Sequence, residues 1–301
     1  MSIPRSLVVP SDARCRRLVT QRFDHAAITM SATGNEARGT AVIVPGFTGS
    51  KEDFLPILEP LAVAGYDVTT YDQRGQFESP DRNAPTSIDV TDPLSTLAAD
   101  LLALIDTVSP NHPVHLVGHS MGGLVARAAT LAQPARMASL TLLCSGPGAL
   151  PEDQRPVLEV LGAALESLTL EQVWEAKVAF DQSQGIAAPP ADIEEFLRRR
   201  FLANTPEALA AKARLLTTEP DRTTELAAVT AQAGVPVMVL HGVDDDAWPI
   251  EEQVAMAVTL GAEICTIDDA GHSPAVERPV ETAAALVDFW NRSVSQPAGE
   301  V

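Results

Sequence analysis

A short apolar run, residues 114–117, passes into Gly118-His119-Ser120-Met121-Gly122 and then, with no room for a loop, into an alanine-rich stretch carrying Leu124, Ala128 and Leu131 at helical spacing. A strand that feeds a helix so abruptly leaves few folds open. The turn strains the backbone of its central residue, and glycines two positions to either side let strand and helix pass closely. Ser120 is then held above the sheet edge as a candidate nucleophile. G-x-S-x-G alone also describes an ordinary serine N-cap, so its weight depends on partners elsewhere in the chain.

The flanking pattern supplies the fold class. Residues 17–22 and 25–30 read as two strands, residues 40–44 as a buried parallel strand and Tyr66–Tyr71 as another. Residues 53–64 carry Phe54, Leu55, Leu58 and Leu61 at helical spacing and stop at Gly65, while Asp92-Pro93 opens a helix through Val108. Residues 139–143 form a further apolar strand. Strand and helix in alternation mean an α/β fold, a mostly parallel central sheet with helices on both faces.

The alternation then breaks. The next convincing strand, residues 236–240, lies about 90 residues on, where a crossover needs only a dozen or so. The excess is an insertion. A capping box at Thr169-Leu170-Glu171-Gln172 and an N-cap followed by proline at Thr205-Pro206 mark helices within it. Residues 147–220 are therefore expected to form a helical cap on a core built from residues 1–146 and 221–301, with residues 222–233 leading back to that core. A helix through Thr259, a strand at residues 263–267 and an amphipathic helix at residues 279–290 complete the core, and the stretch after Ser293 is expected to be disordered.

Composition narrows the partners. A formal net charge of −19 argues against nucleic acid and anionic membrane, because phosphate binding rests on clustered lysine and arginine. Cys15, Cys144 and Cys265 are widely spaced and lack a C-x-x-C pattern, which suggests neither a disulfide framework nor a zinc site. No apolar run approaches a membrane span, and Pro4 and Pro10 interrupt any apolar signal core, so a cytoplasmic protein is expected. The expected partner is a small-molecule substrate, with no metal or organic cofactor required.

A serine hydroxyl needs a base within hydrogen-bond reach and a third group to orient that base. Of the six histidines, His272 is the candidate base, since it sits in a Gly and Pro loop just past a predicted strand, where side chains reach the carboxyl edge of a sheet. Asp244, Asp245 and Asp246 follow the preceding strand and supply candidate acids in the chain order Ser, Asp, His. The loop after residues 40–44, Pro45-Gly46-Phe47, offers one backbone donor for an oxyanion at Phe47. Met121, at the start of the helix after the nucleophile, offers the second.

These motifs resemble the α/β-hydrolase fold superfamily in its capped branch. The likeness is carried by Pro45-Gly46-Phe47, Asp72-Gln73-Arg74-Gly75, Gly118-His119-Ser120-Met121-Gly122-Gly123, Asp245 third after Gly242 and four before Pro249, and Gly271-His272, across residues 40–290. The spacing in that family implies Asp245 as the acid. Two positions depart from the usual pattern: Pro45 stands where a histidine is common, and Gly75-Gln76-Phe77 where Gly-His-Gly is common. Phe77 is thus expected toward the pocket mouth. The resemblance implies a serine hydrolase, and the cap composition points to a small or medium, mainly apolar carboxylic ester. Carbon–carbon bond hydrolysis, thioester hydrolysis, perhydrolysis and elimination on the same three residues remain open, as does a ligand receptor without catalysis.

Overall fold

The computed structural model describes residues 2–34, 36–81 and 88–294, so most of the stretch after Ser293 lies outside the described residues. Eight strands form one sheet among them: β1 (Arg14–Leu18), β2 (His25–Met30), β3 (Gly39–Val44), β4 (Tyr66–Tyr71), β5 (Val114–His119), β6 (Met137–Leu143), β7 (Val237–Gly242) and β8 (Glu263–Ile267). Their spatial order is β1-β2-β4-β3-β5-β6-β7-β8. β2 runs antiparallel to both β1 and β4, and all other neighbours are parallel. The first strand lies at residues 14–18 rather than at 17–22. Thr20 explains the difference, because its hydroxyl accepts the amides of Arg22 and Phe23 and turns the chain where a strand was expected.

Why the central strands read as continuous apolar runs is plain from the two faces they serve. Along β3, Val42 and Val44 point into one core with Leu116 of β5, while Ala41 and Ile43 point into the other with Val117. Helices α2 (Pro93–Val108) and α3 (Met121–Ala132) cover the first face through Leu97, Leu101, Leu124 and Val125. The second is covered by α1 (Leu55–Val63), entered through a single 3₁₀ turn, and by the C-terminal helix at Pro279–Val294, which brings Leu286 and Trp290. Each such fully buried side chain contributes about 1.5–3 kcal/mol of transfer free energy.

Between β6 and β7 the chain forms α4 (Arg155–Leu165), α5 (Leu170–Ser183), α6 (Ala191–Leu202), α7 (Pro206–Thr218) and α8 (Thr223–Ala233). Both ends of this segment meet. Ala149 donates to Glu219 O at 2.7 Å and Leu150 to Leu216 O at 2.8 Å. Arg127 of α3 holds the junction from below, bonding the Glu219 carboxylate at 2.6 Å and the carbonyl of Pro147. Gly148 is needed there, since a Cβ would lie 2.8 Å from Glu219 O.

Helices α5 to α7 share a separate apolar cluster of Val173, Trp174, Ile193, Phe196, Leu197, Phe201 and Leu209. Phe77, expected at the pocket mouth, belongs to this cluster instead: it is buried, with its ring edge-on to Phe196 at 5.7 Å.

After β7, α9 (Ile250–Leu260), β8, the short α10 (Pro274–Glu277) and α11 (Pro279–Val294) finish the fold. Among the described residues no helix is long and apolar enough to cross a membrane.

Candidate active site

β5 ends at His119 and α3 begins at Met121, leaving Ser120 alone between them at φ 56°, ψ −126°. That region is natural to glycine and costly for other residues. The neighbours leave no alternative path. A Cβ on Gly118 would lie 2.4 Å from Gly122 O, and one on Gly122 would lie 2.5 Å from Val44 O. The Ser120 amide donates to Leu143 O at 2.9 Å, tying the turn to the next strand. Met121 is fully buried at the N-terminus of the 12-residue α3, where free amides and the helix dipole favour negative charge.

His272, in the loop after β8, points its Nδ1 at Asp245 Oδ1, 2.7 Å away. The other carboxylate oxygen accepts from Gln253 Nε2 at 2.8 Å, and the Ala247 amide donates to Oδ1 at 3.2 Å. Burial alone would raise the Asp245 carboxyl. The hydrogen bond and charge of His272, with Gln253 and Ala247, outweigh it and hold the group below the usual carboxylate range. Of the three candidate acids, Asp245 is thus the one joined to His272. The Asp244 amide spans instead to Ala270 O, and Asp246 lines the cavity described below.

The loop of Pro45, Gly46 and Phe47 passes directly against the serine, for a Cβ on Gly46 would sit 3.1 Å from Ser120 Cβ. Each of its carbonyls accepts from a glutamine side chain. Gln73 Nε2 donates to Pro45 O at 2.7 Å, and Gln76 Nε2 donates to Gly46 O at 2.8 Å and Phe47 O at 3.3 Å. In a trans peptide the C=O and N–H point in opposite directions. Fixing the Gly46 carbonyl toward Gln76 therefore aims the Phe47 amide away from Gln76.

His119 links the two loops. Its Nε2 donates to the backbone carbonyl of His272 at 2.7 Å, and the rings lie 5.0 Å apart. Burial, reinforced by the nearby His272, pushes its pKa down to about 3, so the ring is neutral and acts as a strut. Ser120, His119, His272, Gly46 and Phe47 line one cavity of about 210 Å³, walled also by Leu150, Leu158, Leu216 and Trp248 and by polar groups including Gln154 and Asp246. Asp245 reaches it through His272.

Cys144 lies behind the pair, and its sulfur, an Asp245 oxygen and a His272 nitrogen fall within 4.8 Å of one another. Burial pushes the Cys144 thiol well up, which keeps it protonated and unlike the thiolate that metals take.

Residues 41–285 match the alpha/beta hydrolase family. The chain belongs to that family. Among its curated relatives is a RutD protein of Variovorax paradoxus, named as a candidate carbamate hydrolase and 39% identical over 109 residues, which is 36% of this chain and 38% of the relative. Another is the dihydrolipoyllysine-residue acetyltransferase component of the acetoin cleaving system of Cupriavidus necator, 28% identical over 82% of this chain and 62% of the relative. The alpha/beta hydrolase chain thus spans less than two thirds of either protein's length. Among solved structures, a thermophilic esterase from Thermogutta terrifontis aligns with a TM-score of 0.72 at 24% identity, covering 94% of this chain and 100% of that one, a likeness of fold.

Three residues that support this candidate site are not singled out by any sequence motif. Gln253 lies within α9 and carries no pattern that sets it apart from a surface glutamine. His119 sits beside Ser120 in sequence with no pattern that marks it as a support, and only the packed loops bring its Nε2 within 2.7 Å of the His272 carbonyl. Gln76 was visible only as a departure from the family pattern, and its length is what lets it reach the Gly46 carbonyl.

Proposed function

We propose that the protein is a serine hydrolase cleaving the carboxylic ester of a small to medium, mainly apolar substrate. Ser120 Oγ attacks the carbonyl carbon while His272 takes its proton, and Asp245 orients and stabilises the imidazolium. The amides of Phe47 and Met121 receive the oxyanion. His272 then protonates the departing alcohol, and water releases the acyl group by the reverse roles.

The observation that carries this reading is the meeting of a serine held at φ 56° with a carboxylate-bound histidine on one small cavity. The volume of about 210 Å³ favours a small acyl group, and Leu150, Leu158, Leu216 and Trp248 supply an apolar wall for it. Helices α4 to α7 serve as the cap in this reading, Leu150 and Leu158 reaching the cavity from the chain between β6 and α5. Three free cysteines fit residence in the cytoplasm.

Intact-protein mass after incubation with a fluorophosphonate tests the reading. One adduct on the parent, absent from Ser120→Ala and His272→Ala, is the expected result. A folded parent that takes no adduct would move the reading toward a ligand receptor. Turnover of a vinylogous diketone or an eliminating substrate with none of simple esters would keep the triad and overturn the ester assignment.

A further inference from the structure

We propose that residues 2–5 form the wall of the leaving-group side of this site and set how large an alcohol it accepts. The proposal rests on the serine-hydrolase reading above.

The segment is clamped to the two loops that build the site. Ser2 is 6% exposed, and its hydroxyl lies 2.9 Å from that of Ser273, the residue after His272. Its carbonyl accepts from Arg200 Nη2 at 2.7 Å. Arg200 comes from α6, is fully buried, and places Nη1 2.7 Å from Asp53 Oδ1. Asp53 in turn accepts the Ser50 amide at 3.1 Å, just beyond the Pro45 to Phe47 loop. A few residues on, Arg5 Nη1 donates to Glu277 O at 3.0 Å. A segment without regular secondary structure is thus held at three points, one of them through a buried ion pair.

Its position divides two cavities. Ser2 lines the cavity that contains Ser120, whereas Ile3, Pro4 and Arg5 line a neighbouring one of about 640 Å³. His272 and Asp246 border both. The reaction assigns a direction to this arrangement. His272 must hand its proton to the alcohol oxygen, so the alcohol half of the substrate lies on the His272 side, and the acyl half lies toward Leu158, Leu216 and Trp248. A short alcohol fits beside Ser2. A longer one has to pass Ser2 into the second cavity, whose walls include Ile3, Pro4, Pro190, Ile193 and Val276. Asp244, Asp246 and Glu277, with Arg5 the one lysine or arginine among the described lining residues, make that space unfavourable to an anionic alcohol. The chemical class accepted there is a neutral aliphatic alcohol.

The test compares alcohol length with acyl length. kcat/KM is measured for methyl, butyl and octyl acetate and for methyl acetate, butanoate and octanoate, with the parent, Ser2→Trp, Ser2→Leu and Arg200→Lys, each checked by its thermal midpoint. Added bulk at position 2 lowers the octyl-to-methyl acetate ratio at least about tenfold while the methyl octanoate-to-acetate ratio moves by less than about threefold. Arg200→Lys retains a cation for Asp53 but lacks the fork that also holds the Ser2 carbonyl, and it raises the alcohol ratio. An alcohol ratio that stays put in the folded variants, or an acyl ratio that moves as much, overturns the proposal. A parent that neither turns over an ester nor takes the fluorophosphonate overturns the serine-hydrolase reading and this one with it, whereas a labelled parent with an unmoved alcohol ratio overturns this one alone.

Discussion

Nδ1 of His272 lies 2.7 Å from Oδ1 of Asp245, a residue 27 positions earlier in the chain and in the loop after a different strand. The carboxylate is itself held at its second oxygen by Gln253. Asp245→Asn would preserve the shape but turn the imidazole to the wrong tautomer, and kcat is expected to fall by roughly 10⁴-fold with little change in thermal midpoint. Gln253→Leu, which removes a charge-assisted bond worth about 1.5–3 kcal/mol, is expected to reduce kcat by a smaller factor. Steady-state kinetics on one ester with both variants check the order.

Gln76 holds two carbonyls of the loop that carries the Phe47 amide. Gln76→Leu frees that loop. Loss of one oxyanion donor costs about 10²–10³ in kcat, so a misaimed donor is expected to cost up to that much, chiefly in kcat rather than KM. A change confined to KM would count against the role.

Ser120 occupies a backbone region at φ 56° that a Cβ makes costly. Ser120→Gly is expected to unfold at a higher temperature than Ser120→Ala, by the equivalent of about 1–3 kcal/mol, and both are expected to lose the proposed activity. Calorimetry of the two variants measures the strain directly.

Arg200 and Asp53 form a buried pair with side chains 1% and 2% exposed. Burial raises the Asp53 carboxyl, and Arg200 draws it back toward the charged form. Arg200→Met leaves that carboxylate without its partner and is expected to destabilise the fold by about 3–5 kcal/mol. Denaturant unfolding of this variant beside Asp53→Asn/Arg200→Met separates the orphaned charge from the lost packing, and the double variant is expected to recover part of the loss.

His115 stacks on Trp290 with ring centroids 5.1 Å apart and bonds Ser139 Oγ through Nδ1. Burial lowers its pKa from 6.5 to about 4, so the folded state holds it neutral. The unfolded chain binds this proton first as pH falls. The stabilisation from this group is therefore complete above pH 6.5 and is lost progressively down to about pH 4. His115→Gln is expected to make the acid limb of stability shallower by up to about 1.4 kcal/mol per pH unit within that window. Chemical denaturation at several pH values reads the difference between the two slopes.

Much of this molecule was determined by local pattern. The strand, turn and helix around Ser120 follow from Gly118 and Gly122, because a backbone that must pass 2.4–2.5 Å from any Cβ admits only glycine, a constraint written in the residues themselves. The alternation of strands and helices, the parallel sheet and the long excess between β6 and β7 are likewise set by apolar periodicity and its interruption. The first strand was misplaced because a threonine turn competes with strand extension through a side-chain bond that periodicity does not register.

Tertiary structure alone decided the contacts between segments distant in sequence. Gln253 reaches Asp245 from one turn into α9, Gln76 reaches the Gly46 carbonyl across 30 residues, and Arg200 reaches Asp53 and Ser2 across 147 and 198. None of these residues has a spacing that marks it, because a polar side chain acquires its partner only when two elements are packed and the buried group must be satisfied. Phe77 packs on Phe196 rather than at the pocket mouth for the same reason: which face of a loop meets solvent, cap or cavity depends on what the rest of the chain has already placed there.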